Sequence, residues 1–326
     1  MTTPFLRPRR LRDSAILRNA IAETTVGPEH LMYPMFVADI QAPHEIEAMP
    51  GVQQFPIPKL VSEIEGLVER GLKSFLLFGV PEKKDAQATG ATSADGVVPR
   101  AIRAIKKAVG DAAFICTDVC VCSYTDHGHC GIIEGNRLDN DKSIDLLARM
   151  ALAHAQAGAD MVAPSDMMDG RVRRIREVLD QSQLAHVPLM SYAVKYASSL
   201  YGPFRHAADS APKFGDRRGY QMDFRNRHDA IREALLDEEE GADVLMVKPG
   251  IAYLDIVRDL RERTHLPLAA YQVSGEYSMI RYAAQAGAID ERAVVRELWH
   301  AFRRAGANYV LTYHAAMAVR QNWFTA

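Results

Sequence analysis

Two lysines each end an apolar segment of the sequence, and each is a candidate for covalent chemistry. Lys195 follows Pro188-Leu-Met-Ser-Tyr-Ala-Val, and Lys248 follows Val244-Leu-Met-Val. Burying a lysine is costly, so one at the end of an apolar strand is present either because its stem reaches solvent or because its amine does chemistry. A neutral lysine amine forms a Schiff base with a ketone or aldehyde. The ordinary alternative is that one or both lysines pair with carboxylates.

The two amines lie close together if their strands are neighbours, because adjacent strands are about 5 Å apart. Like charges in a partly desolvated site lower a lysine pKa from its usual value of about 10.4. Alternation along the first segment predicts that Ser191, Ala193 and Lys195 share one face, so that small residues leave room for the lysine stem. Pro249 disfavours helix at Lys248 and keeps this residue extended.

The cysteines are close together in the sequence, at Cys116, Cys120, Cys122 and Cys130. In a reducing cytosol such crowding favours metal binding over disulfides. Cys120 and Cys122 can face one side, and Cys130 can close a three-sulfur site. Zinc with three protein ligands keeps a position for substrate or water, where it acts as a Lewis acid or an anchor. A fourth ligand from His127 or His129 would make the site structural instead. Cys116 is expected to be a core residue.

Further polar side chains are predicted near the same strand ends. Asp118 ends one strand and is a candidate for proton transfer or for holding a lysine ammonium, and Ser165 ends the next strand. The segment after Lys195 is rich in arginine, which can bind a substrate carboxylate through two hydrogen bonds. The candidates for substrate contact are Ser165, Tyr201, Phe204, Arg205, Arg217, Gln221, Ser274 and Tyr313.

Short apolar runs alternate with amphipathic stretches, which predicts strands separated by helices. The predicted strands cover residues 31–38, 74–80, 114–119, 161–165, 188–196, 244–248, 267–274 and 309–313. A glycine suited to a helix C-cap precedes four of them, at Gly71, Gly158, Gly241 and Gly306. An unbroken series of βα units predicts an α/β fold of the (β/α)8 TIM barrel type. A doubly wound sheet is the alternative, but no G-x-G-x-x-G follows a strand.

A barrel of this kind gathers its functional groups at the carboxyl ends of the strands and in the loops that follow. Three predicted loops are long, at residues 81–97, 120–141 and 197–225. Loops of this length commonly act as lids or binding loops. We therefore expect one site at this end of the barrel.

The composition gives no reason to expect nucleic acid or a membrane as a partner. Of the 326 residues 48% are hydrophobic, and 39 basic against 41 acidic residues give a net charge of -2. No run approaches the roughly 20 apolar residues of a membrane span, and the basic N-terminal stretch lacks the apolar core of a secretory signal. These features predict a cytoplasmic protein.

Residues 1–30 are predicted to form an N-terminal arm, and residues 31–326 the catalytic barrel. The arm could be a disordered tail, but Phe5, Leu6 and Leu11 would then be solvated. We expect it to pack on a neighbouring subunit.

Four segments together resemble the porphobilinogen synthase, or 5-aminolevulinate dehydratase, family. They are Met-Ser-Tyr-Ala-Val-Lys195-Tyr-Ala-Ser-Ser, Leu-Met-Val-Lys248-Pro-Gly, Thr-Asp-Val-Cys120-Val-Cys122-Ser-Tyr-Thr-Asp-His-Gly-His-Cys130-Gly and Pro-Ser-Asp-Met-Met-Asp-Gly. The resemblance covers nearly the whole chain. It implies a TIM barrel with an arm, assembled as a homo-octamer, that condenses two 5-aminolevulinate molecules to porphobilinogen plus water in tetrapyrrole (haem) biosynthesis.

The resemblance also implies roles for the covalent and metal-binding residues. Lys248 is expected to form a Schiff base with the substrate that becomes the propionate side, and Lys195 with the one that becomes the acetate side. The cysteines at 120, 122 and 130 match the zinc-dependent type of the family.

For substrate and activator binding the resemblance implies a second set of residues. Arg205 and Arg217 are expected to hold one substrate carboxylate, and Ser274 with Tyr313 the other. Glu233 corresponds to a residue that binds an activating magnesium away from the catalytic site in many bacterial members.

Two other functions fit parts of the sequence. A class I Schiff-base aldolase or lyase on a TIM barrel needs one imine-forming lysine, with the other lowering its pKa. A non-catalytic zinc-binding scaffold would need the cysteines and neither lysine. The sequence leaves open the order of C–C and C–N bond formation, the general base, and whether His127 or His129 contacts the zinc.

Overall fold

The computed structural model describes residues 5–135 and 137–324. Residues 1–4 of the predicted arm and residues 325 and 326 of the predicted barrel lie outside the described residues. The strands are β1 (Leu31–Ala38), β2 (His44–Glu45), β3 (Gln53–Phe55), β4 (Ser74–Val80), β5 (Phe114–Val119), β6 (Ile132–Glu134), β7 (Arg137–Asp139), β8 (Met161–Pro164), β9 (Met190–Lys195), β10 (Val244–Lys248), β11 (Leu268–Gln272) and β12 (Tyr309–Thr312). The helices are α1 (Ala15–Ala20), α2 (Ile57–Glu69), α3 (Val97–Val109), α4 (Asn140–Gln156), α5 (Arg171–Gln181), α6 (Gly202–Ala207), α7 (Arg227–Glu239), α8 (Leu254–Arg261), α9 (Ser274–Gln285), α10 (Glu291–Ala305) and α11 (Ala315–Arg320).

Eight parallel strands form a nearly closed barrel in the order β8, β5, β4, β1, β12, β11, β10 and β9. The two end strands meet where the amide of Val162 in β8 donates to the carbonyl of Pro188, just before β9, at 3.1 Å. Each barrel strand therefore lies beside its successor in the chain, and the last lies beside the first. The predicted TIM barrel is confirmed, and the doubly wound alternative is wrong.

The barrel separates two apolar cores. One fills the lumen and includes Phe36, Tyr192, Tyr271 and Tyr313. The other lies between the strands and the surrounding helices. β1 is buried along its whole length, as expected for a parallel strand covered on both faces. The lumen core ends at the carboxyl ends of the strands, which we call the barrel mouth.

The predicted facing of β9 is wrong. Ser191 and Val194, which are three positions apart in β9, pair with Leu245 and Val247, which are only two positions apart in β10, and this difference marks a one-residue bulge. A bulge interrupts the alternation of side chains between the two faces of a strand. Ser191 and Ala193 consequently lie outside the lumen, whereas Tyr192 and Lys195 face into it. The residue beneath the lysine is thus a tyrosine and not a small residue.

The ends of the other predicted strands agree with the structure to within two residues. Ser165 follows β8, Tyr313 follows β12, and Ser274 is the first residue of α9. The four predicted junction glycines all have positive φ, from 96° at Gly71 to 124° at Gly306, so each makes the turn from helix to strand that the sequence predicts.

Four long segments stand at the barrel mouth. Residues 81–96 follow β4, residues 120–139 follow β5 and contain the hairpin of β6 and β7, and residues 197–226 follow β9 and contain α6. We call residues 197–226 the lid. The fourth segment, residues 39–56, was not predicted: it contains β2 and β3, and its Gln54 side chain donates to the lid carbonyl of Ala207 at 2.7 Å.

The N-terminal segment lies apart from both cores. None of the residues in α1 is buried, and Phe5 and Leu6 are 84% and 94% exposed. Within the described ranges, no helix combines the length and the apolar character needed to cross a membrane.

Candidate active site

The two lysines identified in the sequence lie side by side at the barrel mouth. β9 and β10 are neighbours, and Lys195 is paired with Lys248 in their register. Both residues are 5% exposed. Within residues 5–135 and 137–324, no salt bridge within 4.0 Å involves either amine. The structure therefore does not support the alternative in which the lysines serve as rim ion pairs.

The amine of Lys248 is enclosed by aromatic rings. The distances from its Nζ atom to the ring centroids are 4.3 Å for Tyr271, 4.9 Å for Tyr192, 5.1 Å for Phe204 and 5.4 Å for Tyr201. Burial, and secondly the charge of Lys195, lower the pKa of Lys248 from 10.5 to about 7. A large fraction of this amine is consequently neutral and nucleophilic at neutral pH.

Lys195 is bonded to the loop that follows β8 and lies near Asp118 of β5. Its Nζ atom donates to the carbonyl of Ser165. Burial raises the pKa of the neighbouring Asp118 to about 6, although the charge of Lys195 and a hydrogen bond with Ser165 act in the other direction. Asp118 Oδ1 is buried without a hydrogen-bond partner. A carboxyl with this pKa can give or take a proton near neutral pH, so Asp118 is well placed for proton transfer.

Tyr192 is a site residue that the sequence reasoning missed. Its ring lies beneath both amines, with the Lys195 Nζ atom 5.6 Å from the ring centroid. Its hydroxyl is buried without a partner, and burial with the nearby Asp118 charge raises its pKa. Strict alternation placed it on the outer face, and the bulge in β9 is the reason that it lies inside.

The three predicted sulfur ligands form one group beside the lysines. The Sγ atoms of Cys120, Cys122 and Cys130 all lie within 4.8 Å of one another, and all three residues are buried. Sulfurs bound tetrahedrally at about 2.3 Å from one zinc are about 3.8 Å apart, so the cluster fits such an ion with small adjustments. Hydrogen bonds from the other two thiols lower the pKa of Cys130, which favours the thiolate needed for metal binding.

The group contains no imidazole nitrogen among the described residues. His129 Nε2 lies 3.0 Å from the carbonyl of Phe214, and His127 Nδ1 accepts from the amide of His129 at 3.1 Å. Cys116 is buried in the lumen core, as predicted.

The lid docks on the cysteine loop. One guanidinium nitrogen of Arg217 donates to the carbonyls of Gly128, at 2.9 Å, and Ser210, at 2.5 Å. Gly128 has a φ of 75°, and a Cβ atom there would lie 2.3 Å from the carbonyl oxygen of Ala211, so the approach requires a glycine. Nearby thiolate charge raises the pKa of Arg217 despite its burial.

Two other lid residues predicted to contact substrate have unsatisfied polar atoms. Arg205 is half-buried, its Nε atom has no partner, and burial with the charge of Arg217 lowers its pKa. The side-chain amide nitrogen and oxygen of Gln221 are both buried without hydrogen-bond partners. Gln221 also lines the cavity beside α7. A buried polar group without a partner suits a ligand that supplies the missing hydrogen bond.

The remaining predicted contacts lie on the other side of Lys248. Tyr201 donates its hydroxyl proton to the Lys248 carbonyl at 3.1 Å. Phe204 packs edge-on against Phe78, with ring centroids 5.0 Å apart. Ser274 Oγ accepts from the Phe204 amide at 3.0 Å, and the Tyr313 hydroxyl lies 3.1 Å from that of Tyr271. Tyr313 adjoins the Lys248 pocket through its bond to Tyr271. Ser274 adjoins the same pocket through its bond to the lid residue Phe204.

Glu233 is separate from the lysines. It lines a cavity of about 670 Å³ together with Asp169, Asp229 and lid residues, and neither lysine lines this cavity. Burial raises the pKa of Glu233, and the neighbouring acidic groups add to that effect. The lining of this cavity thus includes the carboxylates of Asp169, Asp229 and Glu233, together with Arg137 and Arg218.

Comparison with known proteins gives a consistent result over nearly the whole chain. A family model described as delta-aminolevulinic acid dehydratase matches residues 5–321. A protein of that name from Synechocystis sp. is 49% identical over 322 residues, which are 97% of this chain and 98% of that protein. A protein of the same name from Bacillus subtilis is 47% identical over 321 residues, with 98% of this chain and 99% of that protein covered.

A solved structure has the same fold. The crystal structure of delta-aminolevulinic acid dehydratase (porphobilinogen synthase) from Toxoplasma gondii, in complex with the reaction product porphobilinogen, matches with a TM-score of 0.95. It is 43% identical, and the match covers 98% of this chain and 92% of that one.

Proposed function

The chain belongs to the delta-aminolevulinic acid dehydratase family, and from this premise we propose how it condenses two molecules of 5-aminolevulinate into porphobilinogen. Family membership identifies it as a lyase of porphyrin biosynthesis. The single observation that carries the proposed mechanism is the pair of buried lysines, Lys195 and Lys248, facing each other in register on neighbouring strands.

Each lysine forms a Schiff base with the ketone of one substrate. The Lys248 amine adds to the carbonyl carbon, and the carbonyl oxygen leaves as water; this substrate becomes the propionate side of the product. Lys195 binds the substrate that becomes the acetate side in the same way. Holding both ketones on adjacent strands turns an encounter of two solutes into a reaction within one site, which can contribute about 7 kcal/mol or more to lowering the barrier.

Asp118 moves protons beside Lys195. Its pKa of about 6 allows both forms near neutral pH, and the Ser165 carbonyl keeps the Lys195 amine next to it. A group with this position and pKa can accept the proton that a substrate carbon loses when the new C–C bond forms.

Substrate carboxylates are held on two sides. Arg205 and Arg217 of the lid bind one carboxylate, supported by the unpartnered Nε atom in each. Ser274 and Tyr313 bind the other by turning their hydroxyls from their present partners. Gln221, Tyr201 and Phe204 complete the enclosure and exclude water that would hydrolyse the imines.

We assign zinc to the cysteine cluster at 120, 122 and 130, so that the chain is of the zinc-dependent type. The support is three buried sulfurs within 4.8 Å of one another without a histidine among them. When bound by three protein ligands, zinc supplies a Lewis acid with a position for a substrate amine or oxygen. The Arg217 guanidinium beside the cluster offsets the negative charge of the thiolates.

Magnesium is proposed at the cavity that contains Glu233. Magnesium prefers oxygen ligands, retains several waters and needs one or two carboxylates from the protein, which the acidic lining of this cavity offers. Neither Lys195 nor Lys248 lines this cavity, so the effect of the ion would be activation. Replacing Glu233 with Gln should abolish any stimulation by magnesium and leave the basal activity in place.

Residues 1–30 are proposed as an arm that packs on another copy of the chain in a homo-octamer. The support is a row of exposed apolar side chains in this segment, namely Phe5, Leu6, Leu11, Ile16 and Ile21. Residues 31–326 then form the catalytic domain. We also propose a cytoplasmic location and no nucleic-acid or membrane partner, as the sequence predicts.

Trapping with borohydride tests the mechanism. Purified protein is incubated with 5-aminolevulinate and reduced, and the modified peptides are mapped, with product pyrrole measured in parallel. Adducts on both Lys195 and Lys248 are expected, and Lys248→Arg should prevent pyrrole formation. An adduct on one lysine alone, with pyrrole still produced, would refute the two-imine mechanism.

A further inference from the structure

A buried ionic network lies behind β9, outside the lumen. Arg171 of α5 donates from two guanidinium nitrogens to the two carboxylate oxygens of Asp237 in α7, each at 2.9 Å. Both residues are 2% exposed. Replacing a buried ion pair with apolar residues is often neutral or stabilising, so its presence calls for a reason other than stability.

The network is bonded to the two elements that hold Lys195. Ser191 of β9 donates its hydroxyl proton to Asp237 at 2.5 Å and accepts from Arg171 at 3.1 Å. Arg171 also donates to the carbonyl of Met168 at 3.4 Å, in the loop that follows β8. That loop begins at Ser165, whose carbonyl accepts from Lys195.

The same loop is fixed by a second carboxylate. Asp166 is fully buried, accepts from the Met168 amide at 2.8 Å, and lies 3.9 Å from the Arg171 Nε atom. Met167, between them, has a φ of 74°, which is uncommon for a residue with a side chain. The loop therefore keeps a conformation that is unfavourable by itself and needs support from its surroundings.

Ser191 also stands directly before the bulge in β9. In a regular strand, with Tyr192 facing the lumen, the residue three positions later would face outward, because side chains alternate. Lys195 faces inward because the bulge adds one residue. A bond that keeps Ser191 on the outer face therefore keeps the bulge in place.

We infer that Arg171, Asp237 and Ser191 are positioning residues for Lys195: they hold β9 in its bulged register and the Ser165 carbonyl against the Lys195 amine. Lys248 on β10 receives no hydrogen bond from this network among the described residues. The network therefore acts on one of the two lysines.

The test compares Asp237→Asn with a matched variant, Asp160→Asn. Asn keeps the shape of Asp237 and removes the charge that pairs with Arg171. Asp160 also pairs with a partly buried cation, Lys106, at 2.6 Å, and it accepts a hydrogen bond from the Ile115 amide at 2.6 Å. These contacts lie at the end of the barrel opposite the lysines. Both variants lose a hydrogen-bonded ion pair, and only the first changes the support of Lys195.

Two readouts are mapped to single lysines by mass spectrometry. The first is borohydride trapping with 5-aminolevulinate, and the second is methylation by formaldehyde and borohydride without substrate. In Asp237→Asn, trapping at Lys195 should fall at least tenfold while trapping at Lys248 stays within twofold. The ratio of methylation at Lys195 to that at Lys248 should rise at least threefold. Asp160→Asn should change neither ratio.

The inference is overturned if Asp237→Asn leaves both ratios within twofold of the wild type, or if both lysines lose reactivity in parallel. If Asp237→Asn does not fold, Ser191→Ala is tested with the same two ratios. In that variant, trapping at Lys195 should fall about threefold. The inference rests on the proposed imine at Lys195. Absence of a Lys195 adduct in the wild type would refute that function, whereas the methylation ratio tests the positioning independently.

Discussion

Replacing Lys195 should change the proton affinity of Lys248, because a charge in register on the next strand destabilises the ammonium form. At about 5 Å and an effective dielectric constant of about 20, two unit charges repel by about 3 kcal/mol. That energy corresponds to about two pH units. Burial is the larger of the two causes that bring the pKa of Lys248 to about 7 and is unaffected by the change. We therefore expect Lys195→Met to raise this pKa to between about 8 and 9.

The assay is the rate of imine trapping at Lys248 as a function of pH, with single-site mapping of the adduct. In the wild type the rate should rise with a midpoint near pH 7. In Lys195→Met the midpoint should move upward by one to two pH units, so that trapping at pH 7 falls about fivefold or more. Lys195→Arg is the matched control: it also cannot form an imine, but it keeps the positive charge and should keep the midpoint near 7.

The result that would refute this reasoning is a midpoint near pH 7 in both the Met and the Arg variants. Burial alone would then set the proton affinity of Lys248, and the second lysine would have no electrostatic role. A higher midpoint in both variants would show that the shape of Lys195, and not its charge, matters.

Three further predictions concern stability, metal and lid. Lys248→Met should raise the unfolding free energy at pH 7 by up to about 4 kcal/mol, because the pKa of Lys248 is lower in the folded than in the unfolded protein. The difference in unfolding free energy between the variant and the wild type should vanish by about pH 10.5, and urea titrations at both pH values measure it. Stripping zinc with a chelator, or replacing Cys130 with Ser, should remove bound metal in elemental analysis and lower pyrrole formation at least tenfold; full activity without metal would contradict the cluster assignment. Gly275→Ala should loosen the lid, because the Cβ atom of the alanine would lie 2.6 Å from the carbonyl oxygen of Leu200. We expect faster proteolysis within residues 197–226, and an unchanged rate of cleavage would contradict this packing.

The barrel and its two lysines could be predicted because the evidence for them is local. Each barrel strand is a short apolar run, buried on both faces, with polar residues near its end. A lysine such as Lys248 after four apolar residues is conspicuous in any single sequence. The cysteine cluster was predictable for the same reason, since its three cysteines lie within one loop.

What the sequence could not show depends on contacts between distant residues. Tyr192 faces the lumen because of a bulge whose neighbour, Ser191, is bonded to Asp237, 46 positions away. The docking of the lid on the cysteine loop depends on Arg217 and Gly128, which are 89 positions apart. Periodicity within a strand carries no information about either contact.

The bulge in β9 also limits how this site could be transferred to another protein. A designer who copied Tyr192 and Lys195 onto a regular strand of a synthetic barrel would send one of them outward, since positions three apart have opposite orientations there. The graft would need the extra residue of β9 together with an outer-face anchor such as Ser191. The inward placement of Tyr192 and Lys195 is therefore a property of an irregular backbone as much as of the two side chains.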